Sequence, residues 1–195
     1  MSAPGRQDII LAGVGGQGIL SIAAVIGGAA LKLGLNVKQA EVHGMAQRGG
    51  AVQSHLRLSR SRIWSDLIPR GGADLILAVE PLEALRYLDF LSPQGRIVAS
   101  SKPYINIPDY PDLEALLAEI RKIPGSVVVE AEALARKAGT VRAQNIVILG
   151  AAARYLILSE DSLKETLTAT FGRRGESVLA ANLKAFDLGR GVEET

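Results

Sequence analysis

The sequence predicts an α/β fold: a Rossmann-like, mostly parallel sheet with helices on both faces and a β-hairpin insertion. Three observations carry that expectation. Short apolar runs alternate with longer stretches of helical period, the pattern of strands joined by crossover helices. Most strand runs are apolar throughout rather than at every second residue, as in strands buried on both faces. The first run leads through a glycine-rich turn into an uncharged helix, the usual opening of a doubly wound sheet. A chain of 195 residues suits a single domain, 1–195, and 48% hydrophobic with 22% charged residues gives it the means to bury a core.

Residues 8–12 read as the first strand, followed by the loop Gly13-Val14-Gly15-Gly16-Gln17-Gly18. No side chain from Ile9 to Leu31 is charged, and such a run is roughly long enough to span a bilayer. Its glycines divide it into strand, turn and helix, so no membrane segment is expected and the protein is read as cytoplasmic. In the helix predicted for 19–33, Ile19, Ile22, Ala23, Ile26, Ala30 and Leu33 share a face. Leu20, Ala24, Val25 and Leu31 widen it, which predicts a helix sandwiched between other elements. Gly34 stops it.

A second strand is expected at 37–42, then a polar loop at 43–50. Residues 51–58 alternate, with Val52, Ser54, Leu56 and Leu58 on one side and Gln53, His55 and Arg57 on the other. That period predicts a half-exposed strand, paired with 63–68 as a hairpin insertion (about 51–68) that projects from the sheet. Arg57, Arg60, Arg62 and Arg70 make this hairpin basic, a solvated face, and His55 belongs at its surface. Further strands are predicted at 73–79, 95–100 and 126–130. Helices are predicted at 81–91, 113–123, 131–138, 145–158, 162–170 and 177–188. Residues 102–111 are proline-rich and read as a surface excursion. Asn145 reads as a helix cap, and 189–195 as a flexible tail.

Composition narrows the function. A formal net charge of +2 with 4% aromatics predicts neither a nucleic-acid nor a membrane-surface protein. The absence of cysteine excludes disulfides, a thiol nucleophile and a cysteine-ligated iron–sulfur cluster on this chain. With only His43 and His55 as histidines, no metal site is expected.

Gly13, Gly15 and Gly18 form a Gly-x-Gly-x-x-Gly turn before a helix, where backbone can approach a phosphate at the helix N-terminus. Glu41, ending the second strand, stands where a ribose-binding acid is expected, so a dinucleotide-binding oxidoreductase is one reading. Gly16 and Gln17 inside the loop, and the lack of an acid/base set for hydride transfer, count against it. The other readings are turn geometry alone, or phosphate or partner binding. The second segment is Glu41-Val42-His43-Gly44-Met45-Ala46-Gln47-Arg48-Gly49-Gly50. It sets a guanidinium before two glycines at the carboxyl end of a strand, where α/β proteins place function. The alternative is a solvated loop with Arg48 paired to Glu41. Trp64, the sole tryptophan, would mark an interface if exposed. There is no Walker lysine loop, no nucleophile elbow, no Gly-Asp-Gly element and no carboxylate pair with a role. No catalytic residue is expected, and the lone chain does not read as a complete enzyme.

The run from Asp8 through Gly18, the segment from Glu41 through Gly50, and Ala143-Gln144-Asn145-Ile146-Val147-Ile148-Leu149-Gly150 together closely resemble the small (beta) subunits of indolepyruvate:ferredoxin oxidoreductases. These are gamma-type domains of the 2-oxoacid:ferredoxin oxidoreductase family. The resemblance implies an accessory subunit, not catalytic alone. Its large alpha partner would carry thiamine diphosphate, Mg and 4Fe–4S clusters. The complex would convert aryl 2-oxoacids, with CoA as co-substrate, to acyl-CoA, CO₂ and reduced ferredoxin. Relatives act on pyruvate, 2-oxoisovalerate or 2-oxoglutarate. Gly13, Gly15, Gly16, Gln17, Gly18 and Arg48 become candidates for contact with CoA phosphates or with the large subunit. Glu41, His43, Gln47, Gly49, Gly50 and Trp64 become candidates for the subunit interface.

Overall fold

A computed structural model describes residues 5–43 and 49–193, with the side chain of His43 not included. Gln47 and Arg48 therefore lie outside the described residues, as do 194–195. In chain order the elements are β1 (Arg6–Val14), α1 (Ile19–Lys32), β2 (Asn36–His43), β3 (Ala51–Ser59), β4 (Ala73–Ala78) and α2 (Pro81–Arg86). There follow β5 (Leu91–Ser100), α3 (Leu113–Arg121), β6 (Val127–Val129), α4 (Ala131–Ala138), α5 (Gln144–Ala152), α6 (Glu160–Phe171) and α7 (Glu176–Arg190).

Ile9 to Ala12 are buried because β1 lies inside a six-stranded sheet of order β2-β3-β1-β4-β5-β6. The pairs β1–β4, β4–β5 and β5–β6 are parallel, while β3 runs antiparallel to both β1 and β2. Only β3 therefore opposes the common strand direction. On one face Ile9, Leu11, Leu56, Leu75, Leu77 and Val98 join a core with α1, α4, α5, α6 and α7. On the other, Ile10, Ile76, Ala78 and Ile97 meet Ala84 of α2 and Leu117 and Ile120 of α3. The expected α/β class with both faces covered is what the chain forms.

The hairpin insertion is corrected. β3 is an integral strand whose hairpin partner is β2, and 63–68 form no strand. The alternation that suggested a solvated face has another cause: an irregular segment lies over it and needs polar partners for its backbone. Arg57, buried, donates from Nη1 to the carbonyls of Ser65 and Leu67 at 3.0 and 2.8 Å. His55, also buried, accepts the Ile68 N–H at Nδ1 (3.0 Å). Neither is the surface residue expected from the sequence.

Three smaller corrections follow. α1 buries Ile19, Ile22, Ala23, Val25 and Ile26 but leaves Leu20, Ala24 and Leu31 exposed, so it is covered on one side only. The helix expected at 145–158 ends at Ala152, and a 3-10 turn leads to an extended stretch held by Gln7. Gln7 donates from Nε2 to Tyr155 O (2.6 Å) and accepts Ile157 N–H at Oε1 (3.0 Å). The tail is tied down as far as Val192: α7 runs to Arg190, and Arg154 donates to the carbonyls of Arg190 and Val192 at 2.7 and 2.6 Å. Gly34 ends α1 as expected, at φ 73°, with Leu35 N–H on Ala30 O at 3.0 Å.

Candidate functional site

Two glycines of the loop, Gly13 and Gly18, sit where no side chain fits, while Gly16 faces open space at φ 100°. A Cβ on Gly13 would stand 2.4 Å from Val79 Cγ2. At Gly18, φ is 80° and a Cβ would lie 2.5 Å from Asn145 Nδ2, so both backbone conformation and space exclude other residues. Gln17 turns back on the loop: its Oε1 accepts Val14 N–H at 2.8 Å, and its Nε2 lies 3.4 Å from Val79 O. This side chain fastens the loop to the ends of β1 and β4.

The two glycine motifs meet. Gly15 N–H donates to Gly50 O at 2.9 Å, and Gly49 N–H to Gly15 O at 3.4 Å. The 102–111 excursion joins the same cluster, with Asn106 Nδ2 donating to Gly49 O at 2.5 Å. Its anchor is Glu80, buried at the end of β4. One Glu80 oxygen accepts Glu83 N–H (2.8 Å) to cap α2, and the other accepts Tyr104 N–H (3.2 Å) and the Tyr110 hydroxyl. Burial, then the hydrogen bond to Glu80, holds the Tyr110 hydroxyl far above the usual phenol range.

Other candidates fall elsewhere. Glu41 is exposed on β2, which β3 separates from β1, so it is two strands, roughly 10 Å, from the glycine strand. The neighbouring position, where a ribose-binding acid is needed, is held by Ala51 and Val52 of β3, opposite Val14 and Gly13. That geometry removes the basis of the dinucleotide reading. Trp64 is 78% exposed, its ring under the Arg62 guanidinium at 4.0 Å and its carbonyl near Lys38 Nζ. Lys38 lies level with Asp8 across β3, five residues or about 17 Å along the strand from Gly13. Trp64 and the glycine loops are separate surfaces.

Behind the loop lies a cavity of about 720 Å³ between the start of α1, the 139–145 turn and the start of α7. Asn145 reaches from α5 into this region and donates to Gly18 O at 3.0 Å, so it ties two helices together and is not a cap of its own helix. Its Oδ1 is left buried with no donor, a deficit of about 1–3 kcal/mol where nothing supplies one. Arg142 and Arg174 also line the cavity. Neither was marked by sequence reasoning: they stand far apart in the chain, and no periodicity connects them. The one available signal was Asn145, whose polarity among apolar neighbours reads equally well as a cap.

Known proteins share this architecture. The family model of pyruvate ferredoxin/flavodoxin oxidoreductase matches residues 8–192. The Archaeoglobus fulgidus protein named indolepyruvate oxidoreductase subunit IorB is 38% identical over 197 residues, covering 94% of both chains. The protein of that name from Methanothermobacter thermautotrophicus is 38% identical, covering 96% of this chain and 97% of its own. Among solved structures, the 2-oxoglutarate:ferredoxin oxidoreductase of Magnetococcus marinus, with 2-oxoglutarate, coenzyme A and succinyl-CoA bound, matches with a TM-score of 0.76 and 27% identity. That match covers 99% of this chain and 32% of the other, so this chain spans about a third of that protein. A match that takes in both glycine motifs and the closing helices places the chain in the pyruvate ferredoxin/flavodoxin oxidoreductase family.

Proposed function

We propose that this chain is the accessory subunit of a complex that oxidatively decarboxylates indolepyruvate and other aryl 2-oxoacids to acyl-CoA and reduces ferredoxin. A large alpha subunit would carry thiamine diphosphate, Mg and the 4Fe–4S clusters, and the hetero-oligomer would be cytoplasmic. The observation that carries the reading is the union of the two glycine motifs at the strand ends, on a chain without a cysteine to hold a cluster. Among the described residues no three His, Cys, Asp or Glu come together as a group that could hold a metal ion. Among them, too, no helix is long and apolar enough to cross a membrane.

When bound on the partner, thiamine diphosphate supplies carbanion chemistry that side chains lack. This chain's contribution is rigid backbone. The start of α1 opens without a side-chain cap or an acidic first turn, and the loop before it is locked from both sides. That combination suits an anionic group, which supports a role for Gly13–Gly18 at CoA phosphates, and the sequence offers Arg48 as the cation for the same role. The test is co-purification followed by kinetics. A larger, cysteine-rich, brown partner is expected, with Arg48→Ala raising the KM for CoA in the complex. Decarboxylation by the isolated chain would overturn the reading. Weakened assembly with an unchanged KM would make Arg48 a scaffold contact only.

A further inference from the structure

The glycine loop forms one side of a closed ring of contacts. Val14 N–H donates to Gln17 Oε1 at 2.8 Å, and Gln17 Nε2 lies 3.4 Å from Val79 O at the end of β4. The next residue, Glu80, is buried and accepts Tyr104 N–H (3.2 Å) and the Tyr110 hydroxyl. Those two bonds close residues 104–110 on a single carboxylate. From within that stretch Asn106 Nδ2 donates to Gly49 O at 2.5 Å, and Gly49 N–H donates to Gly15 O at 3.4 Å. The ring therefore runs through four separate stretches of chain, 14–17, 79–80, 104–110 and 49, and returns to its start.

The far side of the ring is what the loop needs from outside. Gly16 has nothing within 4 Å of where a Cβ would stand, so no packing fixes the tip of the loop. Glycine backbone left free loses the most entropy when a ligand orders it, and a framework that orders it beforehand removes that cost. Glu80 is suited to hold such a framework. Its charge is met by N–H and O–H donors from two elements, and bonds to a carboxylate are the stronger kind. We propose that Asn106 and Tyr110 are positioning residues for the glycine loop. Closing the ring, they hold the loop backbone in the arrangement that meets a phosphate, and neither touches the ligand. The proposal rests on the reading that this loop contacts CoA phosphates, and deepens it by naming what sets the loop.

The experiment has two arms. In the full chain, amide exchange at Gly15 and Gly49 should quicken about fivefold or more in Asn106→Ala and in Tyr110→Phe. In the assembled complex, each variant should raise the KM for CoA about fivefold and leave kcat and the melting temperature unchanged. Asn106→Asp keeps the size and loses the donor, so it should behave as Asn106→Ala does. A ring already open loses nothing at a second cut. The double variant should therefore match either single one, where independent contacts would multiply to about 25-fold. Unchanged exchange at Gly15 and Gly49 overturns the ring, and so does a multiplied effect in the double variant. Faster exchange with an unchanged KM for CoA overturns the positioning role. In that case a raised KM in Arg48→Ala leaves the CoA reading standing, and an unchanged one brings it down as well.

Discussion

A carboxylate in the middle of a sheet must be answered by cations, and Asp8, 2% exposed, is answered by two. Arg57 grips it with Nε and Nη2 at 2.8 and 3.0 Å, while Arg6 approaches from the strand end. Arg57 spends its remaining donors on carbonyls of the segment lying over β3, so one guanidinium both neutralises the strand and seats the loop. His55 works beside it as a neutral ring, accepting Ile68 N–H at Nδ1 with the Phe90 ring edge-on at 5.2 Å. Burial lowers the His55 pKa from its ordinary 6.5, and Arg57 lowers it further, against weaker opposite effects of Asp66 and Asp8. The unfolded chain thus binds a proton at a pH where the folded chain does not. Stability from the neutral ring is complete above about pH 6.5 and is lost as pH falls from there through the folded pKa. Denaturant midpoints measured from pH 8 to 5 should therefore fall in acid, with this group contributing at most about 1.4 kcal/mol per pH unit. His55→Gln should flatten that part of the curve, and an identical acid slope in both proteins would remove His55 as its source.

Two helices cross on bare backbone. A Cβ on Gly150 of α5 would stand 2.1 Å from Phe186 O, and one on Gly189 of α7 would stand 2.0 Å from Val147 O. Both obstacles are main chain, so the helices themselves would have to separate. Gly189→Ala should destabilise by about 3 kcal/mol, the upper end of ordinary overpacking, despite the better helix propensity of alanine. Thermal melts decide it, and an unchanged or raised Tm would show that α5 and α7 can move apart freely. Period and composition could not reveal this, because a glycine near the last turn of a helix reads as a stop signal wherever it stands. Residue 189 looked like the start of a tail for that reason. The β3 misreading has the same root. Alternation reports which residues are polar, and His55 and Arg57 are polar because a backbone lies over them, not water. Gln53 is set against the His55 ring. Runs such as 73–78 were legible because apolar throughout has one cheap explanation, burial on both faces.

At the scale of the molecule, chemistry gathers at one end of the sheet, and part of the exposed apolar surface lies there with it. Glu80, Tyr110 and Asn106 hold the 102–111 excursion against the glycine cluster. On either side of Asn106, Ile105 is 72% exposed and Ile107 40%. The glycine motifs at this end were legible in sequence because glycine runs carry local signatures. The cavity was not, because Arg142, Asn145 and Arg174 converge only through the packing of α5 and α7. Side chains so apolar, held out by a buried carboxylate, suit a face that another subunit covers. On the proposed reading that subunit is the large partner, and joint replacement Ile105→Glu with Ile107→Glu should weaken its binding at least tenfold in a sedimentation or titration measurement. The replacements touch no core, so the melting temperature of the chain should not move. Full-strength assembly by the double variant would shift the interface elsewhere, to the separate surface around Trp64 or to the outer face of α1, where Leu20 and Leu31 stand exposed.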